Sequence, residues 1–275
     1  MDGIHSVQAF PVVEQSADVV ANLFVNVEYK HLIVAASPPA SLALPGQFFH
    51  LLCPASEAGE PFLRRPMSIY RLEPERGRIH FLYKLTGIGT RGLATLEPGR
   101  WLNMLGPLGI GFTLNPAWKN IVVLGRGVGL ATLAPLAAAA RFAGIGITAI
   151  LSARRPELLM SVEVFKSEGA KIITLTDSDG SSDVENVERR LRGLVEAGKA
   201  DAFFTCGSNR LMLLMQRVAK EHGIPGQVAL EQQMACGLGM CFCCVREFRT
   251  AGDAVEHRRV CCEGPCFDLQ EPLSW

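Results

Sequence analysis

The sequence has no excess of charge of either sign: 27 Lys and Arg balance 27 Asp and Glu, and the pI is near 7.0. It therefore carries no electrostatic footprint for nucleic acid or an anionic membrane surface, and small molecules or another protein are the expected partners. MDGIHSVQAF at the start has neither a basic segment nor an apolar core, which argues against a secretory leader. An unbroken bilayer-length apolar run is missing as well. The most apolar stretch, 128–151, is interrupted by Pro135, Arg141, Gly144 and Gly146, and reads as the helix and strand of a buried βαβ unit. The nine cysteines are odd in number and clustered rather than spread, which fits a reducing, cytoplasmic setting.

Most of those cysteines lie near the C-terminus. Cys236, Cys241 and Cys244 follow a C-x4-C-x2-C spacing, and Cys261 comes after sixteen further residues. This is the spacing of a thiolate cage for a 2Fe-2S cluster, with Gly237 and Gly239 letting backbone N–H groups approach the cluster sulfurs. A structural zinc site also takes four cysteines, but usually as two separated C-x2-C knuckles. Cys262 is an alternative to Cys261, which follows the apolar Val260. Cys243, Cys262 and Cys266 exceed what a cage needs; they are small buried or partly exposed thiols, or have a redox or alternative-ligand role.

With 275 residues, 48% of them apolar, the chain has room for two filled domains and a small appendage. Up to about residue 115, short runs such as His31–Ala36, Gln47–Cys53, Met67–Tyr70 and Ile79–Tyr83 alternate with Pro, Gly and Asn, which predicts an antiparallel barrel. Within it, Arg64-Arg65-Pro66-Met67-Ser68 offers a cation for a phosphate and a hydroxyl for a flavin ring nitrogen. Gly87, Gly89 and Thr90, in Thr86–Gly92, suit a pyrophosphate nest. Taken singly, each segment also reads as a surface arginine or a plain glycine turn.

After residue 116 the pattern becomes alternating β and α. Strands are expected at 120–124, 147–152, 171–176 and 202–205, and helices at 130–142, 156–168, 184–197 and 209–222, giving a parallel sheet. Gly125, Gly127 and Gly129 form a turn after the first strand, where a dinucleotide pyrophosphate approaches backbone. The turn is G-x-G-x-G, not the full G-x-G-x-x-G, and the acidic residue expected about 20 positions on is missing. Arg154 and Arg155 stand there instead, as contacts for a 2′-phosphate or as a solvated loop, so NAD and NADP both stay open. Cys206, at a strand end, is a candidate to face a nicotinamide ring or a small buried residue before a turn.

Arg-Pro-x-Ser at 65–68, Gly-x-Gly-Thr at 87–90, Gly-Pro-Leu-Gly at 106–109, the turn at 125–129, Thr-Cys-Gly at 205–207 and the cysteine loop occur in one order. Together they resemble the ferredoxin-NADP reductase superfamily and, more narrowly, electron-transfer subunits of class 1B dihydroorotate dehydrogenases. The resemblance covers nearly the whole chain. It implies an α+β multidomain protein: an FAD-binding β-barrel (1–115), an NAD(P)-binding α/β domain with a parallel sheet (116–225) and a small C-terminal 2Fe-2S domain (226–275). By motif, Arg65 would bind FAD phosphate beside Pro66 and Met67, Ser68 would face the flavin, and Gly87, Gly89 and Thr90 would hold the pyrophosphate. It also places the last cluster ligand at Cys261.

The sequence departs from the family where Met67 replaces a frequent aromatic, Arg126 interrupts the glycine turn, and Cys266 replaces a common aliphatic. The implied activity is an NAD(P)H-dependent relay through FAD and 2Fe-2S, to or from a separate FMN-bearing dehydrogenase subunit in a hetero-oligomer. No base or pocket for a pyrimidine can be identified in this chain, so substrate chemistry is expected in that partner. Reductase subunits of ferredoxin-coupled, sulfhydrogenase-type or oxygenase systems use the same modules and are the alternative.

Overall fold

The computed structural model describes residues 12–250 and 252–274. Residues 1–11, which hold the opening segment considered above, lie outside them. Strands β1 (Val13–Phe24), β2 (Tyr29–Ala35), β3 (Phe48–Leu51), β4 (Arg65–Glu73) and β5 (Arg78–Lys84), then helix α1 (Ile88–Ala94) and strand β6 (Trp101–Leu108), make up the first part. The six strands close into an antiparallel barrel in the order β1-β2-β5-β4-β3-β6. Side chains alternate across each strand, so Phe49 and Leu51 of β3 enter the barrel core with Ile69, Phe81 and Met104. Phe48 points the other way, into a second core shared with the remainder of the chain. β1 and β6 were not among the expected strands; β1 carries polar residues at many positions and borders solvent for much of its length.

The second part runs β7 (Asn120–Arg126), α2 (Gly129–Phe142), β8 (Gly146–Ala153), α3 (Val162–Ser167), β9 (Lys171–Thr176), α4 (Val184–Glu196), β10 (Ala202–Cys206), α5 (Asn209–His222) and β11 (Gly226–Ala229). It is followed by the ribbon β12 (Val245–Arg249) and β13 (Val255–Arg259), the short helix α6 (Val260–Glu263) and strand β14 (Cys266–Asp268). The sheet order is β14-β11-β10-β7-β8-β9. All its pairings are parallel except that of β14 with β11. Two of its strands therefore come from beyond residue 225, and β14 returns to the sheet after the cysteine loop.

The helix expected over 156–168 is broken in two. A 3-10 turn at Pro156–Leu158 precedes α3, and between them Ser161 takes a left-handed φ of 65°. Leu158 and Met160 are both buried, so this turn serves as a core plug rather than as one face of a continuous helix. The alanine-rich α2 packs against β4 of the barrel as well as β7, β8 and β10, which explains why it has no polar face over most of its length. Among the described residues, no helix is long and apolar enough to cross a membrane.

One polar pair is enclosed in the barrel wall. His80 of β5 is 4% exposed, its Nδ1 lies 2.9 Å from His31 Nε2, and its Nε2 lies 3.6 Å from Glu73. Burial, reinforced by His31 and opposed by Glu73, pushes His80 down from 6.5 to about 4. Between those values the unfolded chain binds a proton that the folded one refuses, so stability falls as pH drops from about 6.5 to 4. Denaturant midpoints measured across this window should decline with acid, and His80→Leu should flatten the slope; an unchanged slope would remove His80 as its source.

Candidate functional site

The barrel and the sheet enclose a cavity of about 320 Å3. Pro66, Met67 and Ser68 of β4 reach it from one side, with Thr86 and Thr90 beside them, and Thr132, Cys206, Glu231 and Met234 from the other. Ser68 Oγ accepts a hydrogen bond of 2.8 Å from Thr132 Oγ1 on α2. Cys206, at the end of β10, places its Sγ 3.9 Å from Glu231 Oε1. Burial raises this thiol well above its ordinary value, and the neighbouring carboxylate adds to the effect. Glu231 is solvent-accessible through the cavities it borders, yet the protein crowded around it raises its carboxyl, against the Cys206 thiol.

A second cavity, about 300 Å3, adjoins the first and shares Glu231 with it. Its walls include Arg126, Gly127, Arg154, Gly207 and Ser208, at the carboxyl ends of β7, β8 and β10, and Tyr29 at the start of barrel strand β2. This is the edge of an open α/β sheet where ligands bind. The glycines of the turn divide their work. Gly127 takes a left-handed φ of 57° and lines the cavity. Gly125 and Gly129 instead permit packing: a Cβ on Gly125 would meet Leu130 and Leu133 at 2.7 Å, and one on Gly129 would meet the Cys206 carbonyl oxygen at 2.4 Å.

The turn's interrupting residue is held in place. Arg126 donates to both oxygens of Asp177, at 2.9 and 2.6 Å, and to Ser152 Oγ at 3.0 Å. The bonds from Arg126, with one from Ser182, keep the Asp177 carboxyl below its usual value. Arg154 is engaged by Glu28 at 2.6 and 2.7 Å.

On the barrel's outer edge, Arg65 turns its guanidinium onto the Leu63 carbonyl and lies against Gly89, where a Cβ would stand 2.7 Å from Arg65 Nε. The Arg65 and Gly87–Thr90 segments are thus brought together. Thr90 Oγ1 accepts the N–H groups of Thr86 and Gly87, at 2.9 and 3.2 Å, fixing the entry to α1.

The cysteine loop packs against β3 of the barrel, where Gly237 meets His50. Cys236 sits beside Cys241; although burial opposes it, N–H donors from Leu238, Cys241 and Met240 bring its thiol down to about 6. Cys244 and Cys261 are both buried and adjacent, with the Cys261 N–H 3.4 Å from Cys244 Sγ. Burial, then Cys244 and Cys262, push the Cys261 thiol up. The four thiols therefore stand as two pairs, and among the described residues no three His, Cys, Asp or Glu side chains gather tightly enough for a single ion. Cys243 is exposed, Cys262 lies against Gly239, and Cys266 is buried on β14.

Residues 231–271 match the model of the iron-sulfur cluster binding domain of dihydroorotate dehydrogenase B. The electron transfer subunit of dihydroorotate dehydrogenase B (NAD(+)) from Desulforamulus reducens is 32% identical over 228 residues, covering 83% of this chain and 86% of the relative. The chain belongs to this family. The Bacillus caldolyticus subunit of the same name is also 32% identical, over 82% of this chain and 86% of its own. Among solved structures, a chain from an NADH-dependent reduced ferredoxin-NADP oxidoreductase, described for flavin-based electron bifurcation, superposes with a TM-score of 0.78. It is 27% identical, and the match covers 94% of this chain and 90% of that one.

Among the residues lining the two cavities, the sequence motifs pointed to Ser68 and Cys206, but not to Thr132, Glu231 or Tyr29. A threonine inside an alanine-rich helix and a glutamate just past a short strand are the only local signs of the first two. Gly129→Ala should push the turn away from β10 and weaken dinucleotide binding at least tenfold, whereas Gly144→Ala, with open space around its Cβ but a φ of 72°, should cost stability alone. Calorimetric binding alongside thermal melts separates the two effects.

Proposed function

We propose that this chain is the electron-transfer subunit of a dihydroorotate dehydrogenase B, exchanging electrons with NAD(H) and working in the cytoplasm with a catalytic FMN subunit. The observation that carries the reading is the central cavity, which shares Glu231 with the sheet-edge cavity on one side and meets the cysteine-loop segment through Met234 on the other. FAD, when bound, exchanges a hydride's two electrons with nicotinamide and single electrons with a 2Fe-2S cluster. The chain's residues fit these groups by their chemistry. Arg65 would offer a guanidinium to an FAD phosphate, Gly87, Gly89 and Thr90 would hold the pyrophosphate, and Pro66 and Met67 would form part of the wall facing the ring.

Ser68, oriented by Thr132, presents a hydroxyl to the flavin edge. Cys206 and Glu231 stand where the nicotinamide would meet the flavin; Glu231, with its raised carboxyl, is suited to hold a proton there. Gly125, Gly127 and Gly129 form the dinucleotide turn. Arg126 and Arg154 are already committed to Asp177 and Glu28, and the relatives are named for NAD(+), so NADH is favoured over NADPH.

Cys236 with Cys241, and Cys244 with Cys261, would hold a 2Fe-2S cluster as four thiolates, standing as two pairs rather than as the single tetrahedral set of a zinc site. We retain the division into segments 1–115, 116–225 and 226–275, with the last segment lending β11 and β14 to the sheet. Leu238, Met240 and Phe242 are 44%, 73% and 63% exposed around the cysteine loop, an apolar rim suited to burial against the catalytic subunit. The likeness to the bifurcating oxidoreductase favours a second reading, a reductase subunit of a ferredoxin-coupled complex. Copurification with an FMN-containing dehydrogenase that oxidises dihydroorotate decides between them.

Anaerobic addition of NADH should bleach bound FAD and produce a reduced 2Fe-2S signal by electron paramagnetic resonance, with NADPH less effective. Absence of iron and flavin from a reconstituted sample would defeat the reading. Cys244→Ser should abolish cluster absorbance while FAD stays bound; a normal cluster would overturn the ligand assignment.

A further inference from the structure

His50 is a histidine that neither the barrel nor the proposed relay accounts for. It lies on β3, is 0% exposed, and neither ring nitrogen has a hydrogen-bond partner. A neutral imidazole carries one N–H, and leaving that donor buried without an acceptor is costly. Its position is specific. The ring edge abuts the cysteine loop at Gly237, where a Cβ would stand 2.9 Å from His50 Nε2. Gly237, at a φ of 70°, is glycine for two reasons: the turn requires it, and a side chain would collide with the histidine. Phe48, the neighbouring residue on the same face of β3, lines the flavin cavity, with its ring centroid 5.7 Å from that of His50.

Resting on the proposed assignment of the cysteine loop, we infer that His50 is a positioning residue for the iron-sulfur centre, its ring N–H donating to a cluster sulfur or to the Cys236 thiolate. Such a bond is stronger to the more negative, reduced centre and so raises its reduction potential. The barrel wall thereby helps set the electron equilibrium between flavin and cluster, although it contributes no ligand.

The test uses the full chain with FAD and cluster bound. Equilibrium redox titration, read optically for FAD and by electron paramagnetic resonance for the cluster, should show His50→Leu lowering the cluster potential with the FAD potential unmoved. Electron sharing should shift toward FAD by roughly tenfold, the scale of one charge-assisted hydrogen bond. His50→Gln, which keeps a donor, should recover part of the shift. Pulsed resonance on reduced wild-type protein labelled with 15N-histidine supplies a readout that needs no variant to fold, and a nitrogen coupling to the cluster is expected. No histidine coupling, or a His50→Leu cluster of unchanged potential, overturns the inference. Wild-type protein that binds no 2Fe-2S cluster would instead overturn the function on which it rests.

Discussion

The arrangement depends on β3, four residues long and buried on both faces. A barrel strand ordinarily has one face toward the core and one toward solvent. Here Phe49 and Leu51 fill the barrel, while Phe48 and His50 face outward into the packing shared with the sheet and the cysteine loop. Each buried aromatic or aliphatic side chain of this kind contributes about 2 kcal/mol. Phe48 makes this contribution only while the C-terminal segment is docked, so barrel integrity and placement of the cysteine loop are energetically coupled. α2 makes the same coupling on the other side, between β4 and the sheet.

What could be read from the chain was whatever is encoded by local spacing. The C-x4-C-x2-C loop, the glycine turn at 125–129 and the Arg65–Ser68 run each carry their chemistry within a few residues, and alternating helices and strands announced the parallel sheet. The residues that escaped are those whose roles arise from contacts across the sequence. Thr132 meets Ser68 across 64 positions, and Arg126 meets Asp177 across 51. In the sequence Thr132 is one polar residue in an apolar helix, and His50 one histidine in a strand. β11 and β14 escaped for another reason: runs of four and three residues carry too little periodicity to separate a strand from a loop.

Arg126 shows how a departure from a motif can leave the turn's conformation well defined. A third glycine would leave the turn free to vary its backbone, whereas the arginine replaces that freedom with bonds to Asp177 and Ser152. An exposed ion pair adds little to global stability. Its effect here is geometric, because it ties the end of β7 to the segment after β9 across β8 and so fixes the rim of the sheet-edge cavity.

The path from Cys261 back into the sheet completes the coupling. After α6 the chain passes through Gly264 and Pro265, whose carbonyls accept the N–H groups of Ile110 at 2.5 Å and Leu230 at 2.9 Å. One acceptor thus holds the segment that follows β6, and the other the segment that follows β11. Pro265 itself lines the central cavity, and Cys266 then begins β14. Four residues beyond Cys261, the backbone is therefore already part of the cavity wall. A displacement of the cysteine loop would have to break barrel and sheet contacts together, so the separation between loop and cavity is set by the folded core rather than by a flexible tether.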